Sequence, residues 1–284
     1  MRHLILFDLH YRDSDSLSRK KLEKIAEVEG NFDGLLLGGD NAELSSGLRN
    51  HRVLFEGLKR RFNCPTRFII GNHELWGKLG NRSSWSLLND VFPALGREYD
   101  FVYLEQENLD VGETSFVGTY GHFDYSFLRK NAGVTMKDLL SGTFVAENKK
   151  PLISEDRINM DWEDKNDAEV CTKLIKAFSR RLGQASGRPI TLSHTIPRLS
   201  LNGWPDSQAQ YFMEAYSGSN LLGDVLESSC GDYHFCGHTH AKAHALIGKT
   251  RAINLGSDYN ILRYAILKSE GEKLSVEERE VVIA

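Results

Sequence analysis

Five short segments of this 284-residue chain place oxygen or imidazole side chains just after an apolar run. They read FDLH, GGDN, GNHE, SHTIP and GHTH, and they are spread from residue 8 to residue 240. Before GGDN, for example, residues 35–37 are all leucine. A short apolar run bounded by turn residues is consistent with a buried strand, and open α/β sheets build their sites at the carboxyl ends of neighbouring strands. We therefore expect the five segments to meet at one place.

Carboxylates, an amide and imidazoles supply the polar groups of these segments. The side chains are Asp8, His10, Asp40, Asn72, His73, His194, His238 and His240. Taken singly, each has an ordinary interpretation as a turn residue, a helix cap or a histidine without a special role. Taken together, the mixture suits borderline divalent metals such as manganese, iron or zinc, and cysteine is absent from the set. The set exceeds the usual protein share of one ion and fits two ions that share a bridging carboxylate.

The first hundred residues alternate apolar runs with helical patterns. Strands are predicted at 3–7 and 66–71, and helices at about 17–29, capped by Ser16, and at about 46–61. Strands that alternate with helices indicate βαβ units and a largely parallel sheet at this end of the chain.

The second half of the chain follows a different pattern. Residues 121–188 are more polar and more helical, whereas the apolar runs from residue 233 onward are short and closely spaced, which predicts strands joined by turns. A helix capped by Ser217 or Ser219 is expected before GHTH. We predict one domain, 1–284, with a largely helical insert at about 121–188. A lid over the site and additional core packing are both open interpretations of this insert.

The charge balance limits the partners of the chain. The formal net charge is −4, and charged residues make up 26% of the sequence. This differs from the strongly basic face of proteins that bind long nucleic acids through counterion release. A long nucleic acid is therefore not the expected partner, although a local basic groove stays open.

Cysteine usage and the apolar runs bear on the compartment. The four cysteines, Cys64, Cys171, Cys230 and Cys236, form no Cys-x-x-Cys pair, and we interpret them as small buried thiols in a reducing compartment. The N-terminus reads MRHLILFDLH, and its apolar run is too short for a signal peptide. No stretch approaches the length of a membrane span. The sequence predicts a cytoplasmic protein without a membrane partner and carries no signal for an oligomeric state.

The order of the five motifs carries a specific resemblance. Asp-x-His, Gly-Asp, Gly-Asn-His-Glu, a single His and Gly-His-x-His follow one another from residue 8 to residue 240. This series resembles the calcineurin-like metallophosphoesterase superfamily over nearly the whole chain. The resemblance implies an α/β fold, a four-layer αββα sandwich with two mixed β-sheets. It also implies hydrolysis of phosphoester bonds by a hydroxide that bridges two divalent ions, manganese first, with iron or zinc as alternatives.

The resemblance also implies roles for the matching residues. The metal ligands would be Asp8, His10 and His240 for a first ion, and Asn72, His194 and His238 for a second, with Asp40 bridging both. His73 would face the substrate and protonate the leaving oxygen or hydrogen-bond the phosphoryl group. Gly38 and Gly39 would let the backbone turn sharply beneath the ions. Glu74 would orient the site, or else lie in solvent at the start of a helix.

Several substrate classes stay open. Small phosphomonoesters or phosphodiesters, nucleotides among them, are the first expectation, and a nuclease is an alternative. Protein phosphatases of the superfamily carry Gly-Asp-x-Val-Asp-Arg-Gly, whereas NAEL follows Asp40 here, so the second acid and the arginine are interpreted as missing. Arg49 and Arg52 would replace that arginine only if their helix pointed them inward. A non-catalytic scaffold, such as a retromer subunit of this superfamily, is disfavoured because every ligand position is filled.

Three residues near the motifs are candidates for substrate binding. Arg198 and Trp204 follow His194 within SHTIPRLSLNGWPDS, and His122 lies in TYGHFDYSF. Aromatic residues near the motifs would suit stacking on a nucleobase, although most such residues belong to protein cores.

Overall fold

The structure is a computed structural model that describes residues 1–28, 30–130, 132–146, 150–163, 166–229, 231–271 and 273–283. Cys230 lies outside the described residues. Within them, the strands are β1 (Arg2–Leu6), β2 (Gly34–Gly38), β3 (Ser45–Leu48), β4 (Thr66–Ile69), β5 (Phe101–Tyr103), β6 (Leu109–Val111), β7 (Thr114–Thr119), β8 (Thr143–Val145), β9 (Pro151–Ile153), β10 (Arg188–Ser193), β11 (Tyr233–Cys236), β12 (Ala243–Ile247), β13 (Thr250–Asn254), β14 (Ile261–Glu270) and β15 (Lys273–Val282).

The α-helices of the described residues are α1 (Ser16–Ala26), α2 (Arg49–Phe62), α3 (Asn72–Leu75), α4 (Ser84–Ser86), α5 (Phe92–Tyr99), α6 (Met136–Ser141), α7 (Glu155–Asn159), α8 (Asp167–Leu182), α9 (Gln208–Glu214) and α10 (Asn220–Glu227). Short 3₁₀ segments lie at Gly77–Gly80 and Leu199–Leu201, and a π-helical turn lies at Leu87–Val91.

Two mixed six-stranded sheets form the centre of the molecule. The first has the order β15-β14-β1-β2-β4-β5, and the second has the order β12-β13-β11-β10-β7-β6. In the first, β1, β2, β4 and β5 run parallel, and β14 and β15 add antiparallel neighbours. In the second, β7, β10, β11 and β13 run parallel, while β6 and β12 are antiparallel edge strands. The parallel sheet predicted for the first hundred residues is confirmed.

The apolar side chains separate into layers. A cluster with Ile5, Leu36, Phe116 and Phe235 fills the space between the two sheets. A second cluster joins the outer face of the first sheet to α1, α2 and α5, and a third joins the outer face of the second sheet to α8 and α10. This arrangement confirms the predicted α/β class and the four-layer αββα sandwich.

Helix caps follow the sequence closely, with one correction. Asp15, rather than the expected Ser16, caps α1, because its carboxylate accepts hydrogen bonds from the backbone N–H groups of Leu17 and Ser18. Ser219 caps α10, which decides between the two serines considered for that helix. An Asp or Ser at this position satisfies amide groups that have no partner within the helix.

The segment between β7 and β10 contains more than helices. It comprises α6, the antiparallel hairpin of β8 and β9, α7 and α8. Helix α8 packs its residues Cys171, Ile175 and Phe178 against the second sheet. Helix α7 instead contacts α3 at the carboxyl end of the first sheet. The assignment of 121–188 as an insert in a single domain stays a prediction.

Among the described residues, the helices are too short or too polar to cross a lipid bilayer.

Candidate metal centre

The five motifs follow five parallel strands, three in one sheet and two in the other, and the third motif opens helix α3. Asp8 and His10 follow β1, Asp40 follows β2, Asn72 follows β4, His194 follows β10, and His238 and His240 follow β11. Because the carboxyl ends of parallel strands meet at one edge, the loops of both sheets converge at the top of the sandwich. All seven side chains come together there.

Asp8, His10 and His240 form one side of the cluster. Each offers an atom within 4.8 Å of the others. The Nε2 atoms of His10 and His240 lie 3.3 Å apart. The Oδ2 atom of Asp8 is buried and has no hydrogen-bond partner within the described part of the chain. An unpartnered buried carboxylate oxygen beside two facing imidazole nitrogens fits a divalent cation, because a buried charge needs a partner.

Asn72, His194 and His238 form the other side. The Oδ1 atom of Asn72 lies 2.8 Å from Nε2 of His194 and 3.0 Å from Nδ1 of His238. His194 directs its Nδ1 at the carbonyl oxygen of Gly38, 3.2 Å away, which leaves Nε2 free to face the cluster. Such a hydrogen bond fixes the tautomer of a metal-binding histidine. This donor set of one amide oxygen and two imidazoles also fits a divalent cation.

Asp40 lies between the two sides. Its Oδ2 atom is 3.5 Å from Nε2 of His10 and 3.5 Å from Nε2 of His194. Its Oδ1 atom accepts a hydrogen bond from the backbone N–H of His73 at 2.9 Å. One carboxylate oxygen thus faces both sides of the cluster, which is the geometry that a bridging ligand needs.

Backbone strain is concentrated in these loops. Asp8, His10, Asp40, His238 and His240 all have positive φ angles, between 46° and 72°. The left-handed region is uncommon for residues other than glycine, and such strain tends to collect at functional sites. The surrounding hydrogen bonds hold these residues in conformations that aim their side chains inward.

Glycines let the loops pass close to the carboxylates. Gly39 has a φ of +94°, as expected for a sharp turn, whereas Gly38 lies in β2 and makes room for the ring of Phe7. A Cβ atom at Gly71 would lie 2.1 Å from Oδ1 of Asp40, and one at Gly237 would lie 2.4 Å from Oδ2 of Asp8. Larger residues at these two positions would displace the carboxylates.

Glu74 supports two of these loops from below. Its carboxylate accepts hydrogen bonds of 2.7–3.2 Å from the backbone N–H groups of Gly71, Asp40, Asn41 and Ala42. His51 on α2 lies 3.2 Å from the same carboxylate, which is fully buried. The interpretation of Glu74 as a solvated residue is therefore wrong.

Glu43 joins two histidines of the cluster. One oxygen lies 3.1 Å from Nδ1 of His10, and the other lies 3.0 Å from Nδ1 of His73. Both rings thus turn Nε2 toward the centre. Glu43 stands three residues after Asp40, where the protein phosphatase motif carries its second acid, so the expectation that an acid is missing there is wrong. The comparison with the motif did not count Glu43 as this acid, because the motif has aspartate at that position.

Asp156 on α7 reaches the site from the segment between β7 and β10. Its Oδ1 atom accepts hydrogen bonds of 2.7 Å from the amide of Asn72 and the indole of Trp76. Its Oδ2 atom lies 3.8 Å from Nε2 of His238. Binding the Asn72 NH₂ group fixes which side of the amide is oxygen and turns Oδ1 toward the histidines. No motif in the sequence marked Asp156.

The charges of the cluster shift several pKa values. Burial opposes ionisation of Asp40, but His194, His73 and His10 together lower its pKa well below the usual value. Burial also opposes protonation of His73, and Asp40 and Glu43 outweigh it and raise the pKa of His73 to about 9. At His238, burial lowers the pKa to about 3. The ring of His238 is thus held neutral, as a metal ligand must be.

The three candidate substrate residues have different surroundings. Trp204 donates its indole N–H to the carbonyl oxygen of Thr239 at 2.8 Å, between the two histidines of GHTH. His122 is fully buried beside Asp167, 3.2 Å away. Arg198 forms ion pairs with Asp224 and Glu227 on α10. The side chain of Trp204 is thus attached to the GHTH loop, and the backbone N–H of His122 donates a hydrogen bond to the hydroxyl oxygen of Thr195 in SHTIP at 3.3 Å.

The arginines near the second motif also differ from expectation. Arg49 and Arg52 are exposed and pair with Asp13 and Glu98, so α2 does not point them inward. Arg12, which the sequence did not single out, lies half-exposed with its guanidinium 3.5 Å from Glu43. Arg12 is thus the arginine of the first two motif loops that approaches the cluster.

Comparisons with known proteins identify the family and the fold of the chain. The family model described as calcineurin-like phosphoesterase matches residues 1–242. Curated sequences gave no significant match. A phosphopantetheinyl hydrolase from Mycobacterium tuberculosis is similar in structure, with a TM-score of 0.68 and 17% identity over 89% of this chain and 88% of that chain. A purple acid phosphatase from yellow lupin has a TM-score of 0.55 and 14% identity over 99% of this chain and 51% of that chain. At these identities the structural likeness shows a shared fold, and the family match over most of the length shows that the chain belongs to the calcineurin-like phosphoesterase family.

Proposed function

We propose that this protein is a metal-dependent phosphoesterase that hydrolyses small phosphomonoesters or phosphodiesters, nucleotides among them, in the cytoplasm. The observation that carries the proposal is the position of Asp40, whose Oδ2 atom lies 3.5 Å from one histidine on each side of the cluster. Loops from both sheets contribute to this cluster. A site of this kind suits a substrate that must be held by positive charge on two sides, as a phosphoryl group is.

Two divalent cations fit the donor set, with manganese as the first candidate and iron or zinc as alternatives. Asp8, His10 and His240 would hold one, Asn72, His194 and His238 would hold the other, and Asp40 would contact both. When bound, such cations supply positive charge that polarises the phosphoryl group and activates water. The protein contributes fixed ligand orientations, through Glu43 on His10, Gly38 on His194 and Asp156 on Asn72.

His73 is the proposed general acid. Its Nδ1 atom is held by Glu43, and its Nε2 atom lies 3.8 Å from Oδ2 of Asp40, so this nitrogen faces the cluster. Its side chain is 13% exposed, which gives a substrate oxygen access to it. Proton transfer from Nε2 to the leaving oxygen would avoid expulsion of an alkoxide, and general-acid help of this kind contributes ~10²–10⁴-fold.

A hydrolysis panel tests the proposal. The panel would contain an aryl phosphomonoester, an aryl phosphodiester, a cyclic nucleotide, short single-stranded DNA and a phosphopeptide, each with manganese and with EDTA. We expect manganese-dependent hydrolysis of small esters, strongly reduced in Asp40→Asn and His73→Ala and retained in the exposed control variant Glu98→Gln. Activity that persists in EDTA and in Asp40→Asn would refute the mechanism. Cleavage of DNA alone, or of the phosphopeptide alone, would favour the nuclease or protein phosphatase alternative.

A further inference from the structure

Tyr259 is an exposed aromatic residue directly beside the cluster. The residue is 48% exposed, although its ring packs on two candidate metal ligands. The ring centroid lies 4.8 Å from that of His10 and 5.8 Å from that of His240, and the rings of Tyr259 and His240 are within 12° of parallel. The two imidazole rings thus cover part of the tyrosine residue, and nearly half of it stays open to solvent.

The loop that carries Tyr259 is held firmly. The buried ammonium group of Lys21 donates hydrogen bonds to the carbonyl oxygens of Leu9, at 3.1 Å, and Asp258, at 2.9 Å. Lys21 thereby ties this loop to the first motif. The carboxylate of Asp258 accepts hydrogen bonds from the backbone N–H groups of Asn260 and Ile261. The exposure of Tyr259 is therefore a property of a fixed loop.

Other aromatic residues near the motifs have structural partners. Trp76 packs on His73, with ring centroids 3.8 Å apart, and donates its indole N–H to Asp156. Trp85 packs against Trp162 and donates its indole N–H to the carbonyl oxygen of that residue. Tyr216 is buried in an apolar cluster. Tyr259 differs from them because nearly half of it is open to solvent.

We propose that Tyr259 is a stacking platform for a planar ring of the substrate, so that the enzyme prefers esters with a nucleobase or aryl group near the phosphorus. This inference rests on the proposed function. A phosphoryl group held by cations beside Asp40 would leave the organic part of the substrate at the rim of the cluster, where the exposed Tyr259 lies against His10. Because ring stacking on an aromatic side chain is worth ~1–3 kcal/mol per base, the preference should be about 5- to 150-fold.

Matched substrates test the inference on the manganese-loaded protein. The pairs are adenosine 5′-monophosphate with ribose 5-phosphate, and phenyl phosphate with cyclohexyl phosphate. In Tyr259→Leu we expect kcat/KM to fall about 5- to 150-fold for the planar member of each pair, mostly through KM, and to stay within about twofold for the other. Tyr259→Phe, which keeps the ring, should retain the preference. An equal loss for both members would show that Tyr259 only supports the histidines, and it would overturn the inference.

A binding measurement separates this inference from the proposed function. Saturation-transfer NMR should detect transfer to the adenine protons of adenosine 5′-monophosphate with wild-type protein and with Tyr259→Phe, and a much weaker signal with Tyr259→Leu. If the adenine signal depends on Tyr259 while no ester is hydrolysed, the proposed function fails and the stacking site stands. If esters are hydrolysed while neither the adenine signal nor the preference depends on Tyr259, the stacking site fails and the proposed function stands.

Discussion

Glu74 is a buried carboxylate that holds two motif loops at a fixed distance from each other. Its two oxygens accept hydrogen bonds from four backbone N–H groups, those of Gly71, Asp40, Asn41 and Ala42. Glu74→Gln keeps the volume but turns an NH₂ group toward some of these donors. Because a buried donor without an acceptor costs about 1–3 kcal/mol, we expect the free energy of unfolding in urea with EDTA to fall by about 2–5 kcal/mol.

The control for this prediction is Glu98→Gln. Glu98 is exposed and pairs with Arg52 on α2. Solvent screens an exposed ion pair, so the free energy of unfolding of Glu98→Gln should stay close to that of wild type. A comparable loss in both variants would contradict the role assigned to Glu74.

The sequence predicted single residues well where chemistry and spacing were both explicit. All seven candidate ligands meet because each follows a parallel strand. These strands could be predicted because their apolar runs are clear in the sequence. The role of Glu43 was missed because it depends on the length of the side chain and on the histidines that this side chain contacts. The longer glutamate side chain contacts both His10 and His73, which a comparison with an aspartate motif does not reveal.

At the scale of secondary-structure elements, prediction was limited by contacts between distant parts of the chain. Local sequence patterns were sufficient to predict the strands before the motifs and the serine cap of α10. Asp156 lies 84 residues from its partner Asn72, and its segment carries no ligand motif. The hairpin of β8 and β9 was also missed, because each strand has only three residues. Strands this short leave almost no periodicity in the sequence.

Helix α7 is expected to control metal affinity through Asp156. Without its carboxylate, the amide of Asn72 loses the acceptor that fixes its orientation. Loss of such an outer partner typically costs 10- to 100-fold in affinity. We therefore expect Asp156→Ala to weaken manganese binding by about 10- to 100-fold in calorimetric titrations. Asp156→Asn retains an acceptor oxygen and should recover most of the affinity. Equal affinity of Asp156→Ala and wild type would show that α7 does not orient Asn72.

The pairing of β10 and β11 buries a histidine away from the cluster. His234 lies 2.9 Å from the hydroxyl oxygens of Thr191 and of Ser193. Burial lowers its pKa to about 3 from the usual 6.5. The unfolded chain therefore binds a proton below pH 6.5 that the folded chain rejects until about pH 3. The contribution of the buried neutral His234 to the free energy of unfolding is complete above pH 6.5, and it is lost as the pH falls toward 3.

The corresponding variant is His234→Gln, measured by urea unfolding between pH 7 and pH 4. Wild type should lose stability relative to this variant as the pH falls, by up to about 1.4 kcal/mol per pH unit. His244→Gln, at an exposed position beside Glu278, serves as the matched control and should follow wild type. Parallel curves for wild type and His234→Gln would show that His234 takes up its proton without unfolding.

At the scale of the whole molecule, the cluster connects the two sheets. Asp8, Asp40 and Asn72 come from loops of the first sheet, whereas His194 and His238 come from loops of the second. Below the cluster, an apolar layer that includes Ile5, Leu36 and Phe235 lies between the sheets. At the top, buried carboxylates and imidazoles from both sheets face one another. Divalent cations bound there would therefore stabilise the packing of one sheet on the other.

Metal binding should consequently raise the stability of the whole fold. A ligand that binds only the folded state adds about 4 kcal/mol at a concentration 1,000 times its dissociation constant. We expect the thermal unfolding midpoint of wild type to rise progressively with manganese and to return to its starting value with excess EDTA. In Asp40→Asn, which lacks the carboxylate facing both sides, most of this rise should disappear, whereas Glu98→Gln should behave as wild type. A midpoint that manganese leaves unchanged in wild type would mean that the seven side chains do not hold the ion, whatever the catalytic assays report.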